Sequence, residues 1–345
     1  MRIKVSYLLI LFLVILPIVS LSSKIRINYV ETISSHDGEC SIITCKVGED
    51  VLYGYNYDGH EYLEPFIQFG DHMNFQDGDI VDFGKPICTT GRMTEIGPRD
   101  LYARITDDGL GIAFNSLESI QMFVDPLKEN RTDDFELVNE CSNVQEVIEF
   151  FNQSNSFYPS PNPTWSWQKH IVDAYGEAIV VGLNEFGEVT ITEMNESQFL
   201  ISANQNLAYP DNCDGPCSDS INRVNIATSM LEPIVAGNNL SVDSIRDVLE
   251  ALSCSSTTHS LIFNPKTLDI YAYYRQDFTK VFEFNIAEEL NSLASGELKF
   301  YDLKELYTNT TNQLSITSTV ASMIGLFIIV FTIRNRKKVK DYIFN

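Results

Sequence analysis

The sequence GECSIITCKV spans residues 38–47, and VLYGYNYD follows at residues 51–58. Two apolar runs flank the short polar turn at residues 48–50, a pattern that predicts a β-hairpin. Cys40 opens the first run, and Asn56 and Asp58 end the second. Because a hairpin folds back on itself, its two ends lie close in space. A thiol beside an acid and an amide is a candidate nucleophilic site.

The spacing of these residues resembles that of the N-terminal-nucleophile amidases, in particular the isopenicillin-N acyltransferase and choloylglycine hydrolase group. Asp58 follows Cys40 by eighteen residues, which is closer to the acyltransferase branch than to the bile-salt hydrolase branch. The bile-salt and acylethanolamine hydrolases usually carry Arg where this chain has Tyr55, which argues against those two substrate classes. Tyr55 and Asn56 are candidate substrate-binding residues, and Asn56 has the alternative role of fixing the turn beside Asp58.

Further motifs of the same family follow in order, so that the resemblance covers about residues 38–290. They are DGLGIAFN at 108–115, HIVDAYGEA at 170–178, LISAN at 200–204, SINR at 220–223 and TTHS at 257–260. Strand-like segments, among them 41–47 and 178–183, lie before and after the helical patterns at 144–153, 221–231 and 242–252, the last with Ser241 as its N-cap. This order favours an α+β fold with layered sheets. The resemblance implies a four-layer αββα sandwich in which two antiparallel sheets pack face to face.

The resemblance also implies how the thiol is activated. A thiol needs a base to ionise at neutral pH, and no histidine stands at a motif position. If Cys40 were the first residue of the mature chain, its own α-amine, with an ordinary pKa of about 7.7–8.0, would be that base. The family implies self-cleavage, in which Cys40 attacks the carbonyl of Glu39 and the Glu39–Cys40 bond is broken.

The other catalytic roles follow from the same resemblance. Asp58 would hold the new α-ammonium, and the side-chain amides of Asn115 and Asn204 would donate to the oxyanion. Arg223 would orient the thiol or Asp58 as a fixed positive charge. Each residue also has a simpler interpretation: half of a disulfide for Cys40, a turn residue for Asp58, strand-end caps for the two asparagines, and a helix-surface charge for Arg223.

The N-terminus has the pattern of a secretory signal peptide over residues 1–23. Arg2 and Lys4 precede a mostly apolar run over residues 5–21, and small residues follow it. The alternative is an uncleaved signal anchor. Cleavage near residue 23 would leave a pro-segment at 24–39, which the cut before Cys40 would remove.

The C-terminus has the pattern of a membrane anchor. Residues 316–333 carry no charge and are long enough to cross a hydrocarbon core of about 30 Å as a helix. Five basic residues lie in the tail at 334–345, and the positive-inside rule keeps such a tail in the cytoplasm. The alternative is a buried helix near the terminus. The anchor predicts a single-pass membrane protein whose catalytic domain, residues 40–312, lies outside the cytosol.

Composition agrees with this location. The chain has 47 acidic and 24 basic residues, and a surface so acidic repels nucleic acid and anionic lipid headgroups. Glycosylation is predicted at five Asn-x-Ser/Thr sequons, Asn130, Asn152, Asn195, Asn239 and Asn309.

Cysteine usage leaves several pairings open. Seven cysteines are an odd number, which in an oxidising compartment fits a free Cys40 and up to three disulfides. Cys213 is expected to pair with Cys217 or with another cysteine. The spacings of cysteine and histidine do not resemble a zinc site, and no metal or cofactor is predicted.

Three functions remain at this point. The first is a membrane-anchored, self-processing amidase that hydrolyses a linear, non-peptide amide through a thioester on Cys40. The second is an acyltransferase that passes the same acyl group to an amine. The third is a catalytically silent surface glycoprotein that uses the fold for binding.

Overall fold

The computed structural model describes residues 40–59, 64–71, 73–76, 79–82, 85–94, 97–118, 134–154, 165–184, 186, 188–194, 196–208 and 217–310. The predicted signal peptide, pro-segment, membrane-spanning helix and basic tail lie outside these residues. None of the described helices is long and apolar enough to cross a membrane.

Strands are the commonest element of the described chain, with sixteen of them. The strands are β1 (Ser41–Val47), β2 (Asp50–Asp58), β3 (Glu64–Gly70), β4 (Met73–Gln76), β5 (Asp79–Asp82), β6 (Ile87–Thr94), β7 (Gly97–Thr106), β8 (Gly111–Glu118), β9 (Trp165–Val172), β10 (Ala178–Leu183), β11 (Val189–Glu193), β12 (Phe199–Ser202), β13 (Thr257–Asn264), β14 (Asp269–Tyr274), β15 (Phe282–Asn285) and β16 (Leu298–Asp302). The helices are α1 (Asp134–Glu140), α2 (Val144–Ser154), α3 (Cys217–Ala236), α4 (Val242–Leu252) and α5 (Ile286–Asn291), and residues 303–310 are helical as well.

The strands form two large antiparallel sheets. Sheet A has the order β12-β1-β2-β13-β14-β15, and sheet B has the order β11-β10-β9-β8-β7-β6-β3-β16. A separate two-stranded sheet contains β4 and β5. The β1–β2 hairpin that the sequence predicts lies at the centre of sheet A.

Three apolar layers hold the sheets and helices together. One lies between the sheets and includes Tyr55 from sheet A and Ile67 from sheet B. A second packs α1 and α2 on sheet B, and a third packs α3 and α4 on sheet A. The order of layers is therefore helices, sheet A, sheet B, helices, as the αββα prediction requires.

Helix α4 shows how closely these layers approach. Its buried residues recur every three or four positions, which gives one apolar face toward sheet A. Ser241 caps its N-terminus by accepting a hydrogen bond from the Ser244 amide, as predicted. A Cβ atom at Gly54 of β2 would lie 3.0 Å from Ile245 Cγ2 and 2.9 Å from Ile43 Cγ1. Only glycine lets the helix lie this close to the hairpin.

The described cysteines are not paired. Cys40, Cys45, Cys88, Cys141 and Cys254 are free thiols. Cys40 is free as predicted, but the expectation of up to three disulfides is not supported. The proposed partners Cys213 and Cys217 have no described side chain. The described sequon residues, Asn152, Asn239 and Asn309, are exposed, and their glycosylation stays a prediction.

Candidate active site

The two ends of the β1–β2 hairpin meet at Cys40. Antiparallel pairing places Ser41 opposite Asn56, so Cys40 lies beside the last residues of β2. The thiol is buried, with 4% of the residue exposed. The backbone amide of Asp58 donates a hydrogen bond to the thiol, and the Tyr55 hydroxyl lies 3.9 Å from Sγ.

The uncleaved chain disfavours the Cys40 thiolate. Burial, and next the negative charge of Asp58, raise the pKa of the thiol to about 12. Hydrogen bonds from Asp58 and Tyr55 and the charge of Arg223 act in the opposite direction but are weaker. At neutral pH the thiol therefore keeps its proton until a base takes it.

Asp58 is a fully buried carboxylate at the end of β2. Thr257 Oγ1 donates to its Oδ1 at 2.5 Å, and Arg223 Nη1 lies 3.6 Å from its Oδ2. Burial raises the pKa of Asp58 to about 7 and outweighs the effects of Thr257, Arg223 and the neighbouring Cys254 thiol. Within the described part of the chain, Oδ2 accepts no hydrogen bond. This oxygen can therefore take a further donor.

Arg223 links three parts of the site. It extends from α3, is 5% exposed, and donates through Nη1 to Ser41 Oγ at 2.7 Å and through Nη2 to Asn204 Oδ1 at 3.2 Å. Its ion pair with Asp58 completes the set. The simpler interpretation of Arg223 as a surface charge does not fit this burial.

The two predicted oxyanion donors come from different sheets, Asn115 from β8 and Asn204 from the segment after β12. Asn115 of β8 donates from Nδ2 to the Cys40 carbonyl at 3.1 Å and accepts from the Ser202 hydroxyl at 2.6 Å. Asn204 follows β12 in a segment that Gln168 holds by donating to the carbonyls of Ala203 and Gln205. Asn115 thus contacts Cys40 from sheet B, and Asn204 contacts Arg223 from the end of β12 in sheet A.

The two candidate substrate-binding residues face opposite sides of sheet A. Tyr55 lies between the sheets, where its ring is 6.2 Å from that of His259, and its hydroxyl faces Cys40. Asn56 donates to the Leu249 carbonyl of α4 at 2.8 Å. Tyr55 is therefore beside the nucleophile, whereas Asn56 ties the hairpin to the helix layer.

Several residues beside the site were not predicted to act there. Thr257 holds Asp58, Ser41 holds Arg223, and Ser202 holds Asn115, while Cys254 lies beside Asp58. A signal existed for Thr257, which stands in the TTHS motif. Ser202 stands in the LISAN motif in the same way, but nothing in the sequence indicated its partner Asn115, which comes from the opposite sheet.

The arrangement suits acyl chemistry on Cys40. A thiol, a buried carboxylate and fixed amide and guanidinium groups lie together at Cys40, and these are the kinds of groups that acyl transfer requires. The described residues contain no cluster of His, Cys, Asp and Glu suited to a metal ion.

Comparison with known proteins supports the predicted fold. No protein-family model matches the sequence, and no curated sequence is similar to it. A conjugated bile acid hydrolase variant from Clostridium perfringens has a similar structure, with a TM-score of 0.55 and 12% identity over 76% of this chain and 96% of that one. A second variant of that enzyme gives a TM-score of 0.56 and 11% identity over 76% and 97%.

Penicillin V acylase from Agrobacterium tumefaciens is similar as well, with a TM-score of 0.54 and 13% identity over 76% of this chain and 91% of the acylase. At such identities the likeness concerns the fold alone and does not separate one branch of enzymes from another. The predicted resemblance is confirmed at that level: the chain has the fold of the N-terminal-nucleophile hydrolases of the choloylglycine hydrolase group.

Proposed function

We propose that this chain is a self-processing cysteine amidase that hydrolyses a linear, non-peptide amide through a thioester on Cys40. The observation that carries the proposal is the convergence of five residues from separate segments: Cys40, Asp58, Asn115, Asn204 and Arg223. All are buried, and four of them contact one another or Cys40 through hydrogen bonds or an ion pair. A binding module has no need to bury these groups around a thiol.

Maturation would begin with the thiol. Sγ attacks the Glu39 carbonyl carbon and forms a thioester, while the Glu39–Cys40 C–N bond breaks and its nitrogen takes the thiol proton. Water then hydrolyses the thioester, which restores the thiol and leaves a carboxylate on Glu39. Asp58, whose pKa lies near 7, is a base of suitable strength to carry that proton.

Asp58 supports this proposal in a second way. Its Oδ2 is buried and accepts no hydrogen bond from the described residues, which is costly for a carboxylate oxygen. Cleavage before Cys40 would create an α-ammonium beside this oxygen. The new cation would supply the missing donor and would stabilise the charged carboxylate.

Substrate turnover would repeat the chemistry with the α-amine as base. The amine takes the thiol proton as Sγ attacks the substrate carbonyl, and it passes that proton to the leaving nitrogen as the C–N bond breaks. Asn204, held by Arg223, would donate to the oxyanion, and Asn115, which holds the Cys40 carbonyl, would supply its second N–H to the same oxyanion. Water completes the cycle by releasing the acid from the thioester.

We also propose that the enzyme is anchored in a membrane with its catalytic domain outside the cytosol. The support is the charge-free segment 316–333 and the basic tail that follows it. Protease added to intact cells should remove the domain and spare an epitope placed on the tail. Protection of the domain would contradict this topology.

The function is tested by mass spectrometry and product analysis on the same sample. The purified protein should begin at Cys40 and should release acid and amine from at least one member of a panel of fatty-acyl, aryl-acyl and amino-acyl amides. Cys40→Ala should keep Glu39 and release neither product. An intact Glu39–Cys40 bond in the wild type, together with no hydrolysis, would contradict the proposal; amide formed with an added amine would show acyl transfer instead.

A further inference from the structure

A continuous chain of hydrogen bonds crosses the core between the sheets and ends at the nucleophile. Thr44 Oγ1 lies 2.9 Å from His170 Nε2, and His170 Nδ1 lies 2.9 Å from Ser202 Oγ. Ser202 Oγ lies 2.6 Å from Asn115 Oδ1, and Asn115 Nδ2 lies 3.1 Å from the Cys40 carbonyl. All five residues are buried, and the chain alternates between sheet A and sheet B.

The direction of the hydrogen bonds in this chain follows from the acceptor at its Cys40 end. A carbonyl oxygen only accepts, so the amide nitrogen of Asn115 must face Cys40 and its Oδ1 must face Ser202. Ser202 then gives its single hydrogen to Asn115 and can only accept from His170 Nδ1. The imidazole therefore carries its hydrogen on Nδ1, and its bare Nε2 accepts from the Thr44 hydroxyl.

The opposite tautomer of His170 would reverse the hydrogen bonds and turn the side-chain amide of Asn115 around. With the hydrogen on Nε2, His170 Nδ1 would need the hydrogen of Ser202. Asn115 would then have to turn and donate to Ser202, which would place its oxygen about where its nitrogen now lies, against the Cys40 carbonyl oxygen. Two acceptors at that separation repel each other, so the proton on His170 decides which atom of Asn115 faces the nucleophile.

Two observations keep the imidazole in one neutral form. Its ring lies in the apolar layer between the sheets, with the edge of Tyr53 packed against it at a centroid distance of 5.5 Å. Burial lowers the pKa of His170 to about 3, so only one nitrogen carries hydrogen at neutral pH. A satisfied polar chain in an apolar core is rigid, because breaking any one bond leaves a buried polar atom unpaired.

We propose that His170 and Ser202 are positioning residues that hold the amide nitrogen of Asn115 toward the Cys40 carbonyl and so keep the Asn115 amide in the orientation that its proposed catalytic role requires. The proposal rests on the amidase function proposed above. The competing interpretation is that this series of hydrogen bonds only stabilises the packing of the two sheets. That role requires hydrogen bonds but no particular direction, and it does not act through Asn115.

The direction is tested without any substrate. Protein labelled with ¹⁵N-histidine should give a neutral imidazole with hydrogen on Nδ1 that does not titrate between pH 5 and 8 and that is absent from His170→Asn, while the equally buried His259 keeps its own signal. A neutral His170 with hydrogen on Nε2, or one that titrates in this range, would overturn the proposal. This result is independent of whether the protein hydrolyses an amide.

A matched pair of variants tests the positioning. Asparagine can place its amide nitrogen where Nδ1 lies and still donate to Ser202, whereas the longer glutamine places its nitrogen near the Nε2 position. His170→Asn should keep kcat within about threefold, and His170→Gln should lower it by roughly 10–100-fold, the effect of losing one buried hydrogen bond at Asn115. Both should leave KM nearly unchanged. Equal losses in the two variants would contradict the proposal.

A double-mutant cycle separates positioning from structure. Ser202→Ala should lower kcat by roughly 10–100-fold in the wild type but by less than about threefold in the Asn115→Ala background, because the target of its hydrogen bond is gone. An equal loss of kcat in both backgrounds would mean that Ser202 contributes to folding alone. In that case Ser202→Ala should also lower the melting temperature in both backgrounds. If the wild type hydrolyses no amide of the panel, the proposed function fails, and the imidazole spectrum still decides the direction of the chain.

Discussion

Arg223→Lys is the sharpest test of the site, since it keeps the positive charge and removes the geometry. The guanidinium donates to Ser41 and Asn204 and pairs with Asp58 at the same time, with distances of 2.7, 3.2 and 3.6 Å. An ammonium is a point charge with a shorter reach and no planar fork, so it cannot make all three contacts. In Arg223→Lys the ammonium still balances part of the charge on Asp58, but Asn204 loses the guanidinium group that orients its side-chain amide.

The expected loss can be bounded. A hydrogen bond to a charged group contributes about 1.5–3 kcal/mol, and a complete oxyanion donor is equivalent to about 2.7–4 kcal/mol. If Arg223 acts on catalysis mainly through Asn204, the loss cannot much exceed that of Asn204→Ala. At about 1.4 kcal/mol per tenfold change, Arg223→Lys should lower kcat/KM by roughly 10–150-fold.

The assay compares kcat/KM on an amide substrate for samples whose Cys40 terminus has been verified. Arg246→Lys is the matched control, because Arg246 also extends from a helix and pairs with aspartates, Asp243 and Asp247, but it is only half-buried and lies outside the site. The control should stay within about twofold. In the Asn204→Ala background, Arg223→Lys should add little. A wild-type kcat/KM in fully processed Arg223→Lys would refute the role assigned to this residue.

Three further predictions concern the nucleophile, the oxyanion donor and the buried acid. Cys40→Ala should abolish both the new terminus and amide hydrolysis, and Cys40→Ser should slow both, since a hydroxyl is the weaker nucleophile; hydrolysis at the wild-type rate by Cys40→Ala would place the catalytic site elsewhere. Asn204→Ala should be processed at least partly but lose roughly 10²–10³ in kcat, measured on chains that begin at Cys40; an unchanged kcat would exclude it as a donor. In the unprocessed Cys40→Ala protein, the folded pKa of Asp58, about 7, lies above its unfolded value, so its stabilising contribution is present at low pH and is lost as the pH rises toward 7. Adding Asp58→Asn should remove this decline, and urea unfolding from pH 5 to 8 measures it; parallel stability curves for the two proteins would contradict the raised pKa.

Local pattern was enough to predict the elements that carry the nucleophile. Strands β1 and β10 and helix α4 have the predicted bounds, because alternation, apolar runs and a Ser241 cap are signals contained within a few residues. The two ends of the β1–β2 hairpin meet as predicted, since the register of a hairpin follows from its short turn.

The strands that were missed depend on distant partners. β3 pairs with β6 and with β16, although β16 lies more than 200 residues further along the chain. Pro65 at the second position of β3 also weakens its local strand signal, since proline lacks the N–H that a central strand uses. Such a pairing is set by the packing of whole layers, so no short window of sequence contains it.

The same limit explains which site residues the sequence revealed. Cys40 and Asp58 lie on one hairpin, and the family motifs supplied Asn115, Asn204 and Arg223. Thr257 and Ser202, which hold Asp58 and Asn115, also stand in family motifs, but the motifs gave them no role, because that role depends on a partner from a distant part of the chain.

His170 illustrates the point, since its motif predicted a strand but gave the imidazole no role. In the structure this imidazole has a partner on each nitrogen, both from sheet A, while its own strand belongs to sheet B. A buried histidine that satisfies both nitrogens in this way costs stability in acid: its unfolded form takes a proton below about pH 6.5, while the folded form does not until about pH 3. An apolar residue would avoid that cost and would pack the same layer. The retention of a polar chain that leads to the carbonyl of the nucleophile is therefore better explained by the orientation of Asn115 than by the stability of the sandwich.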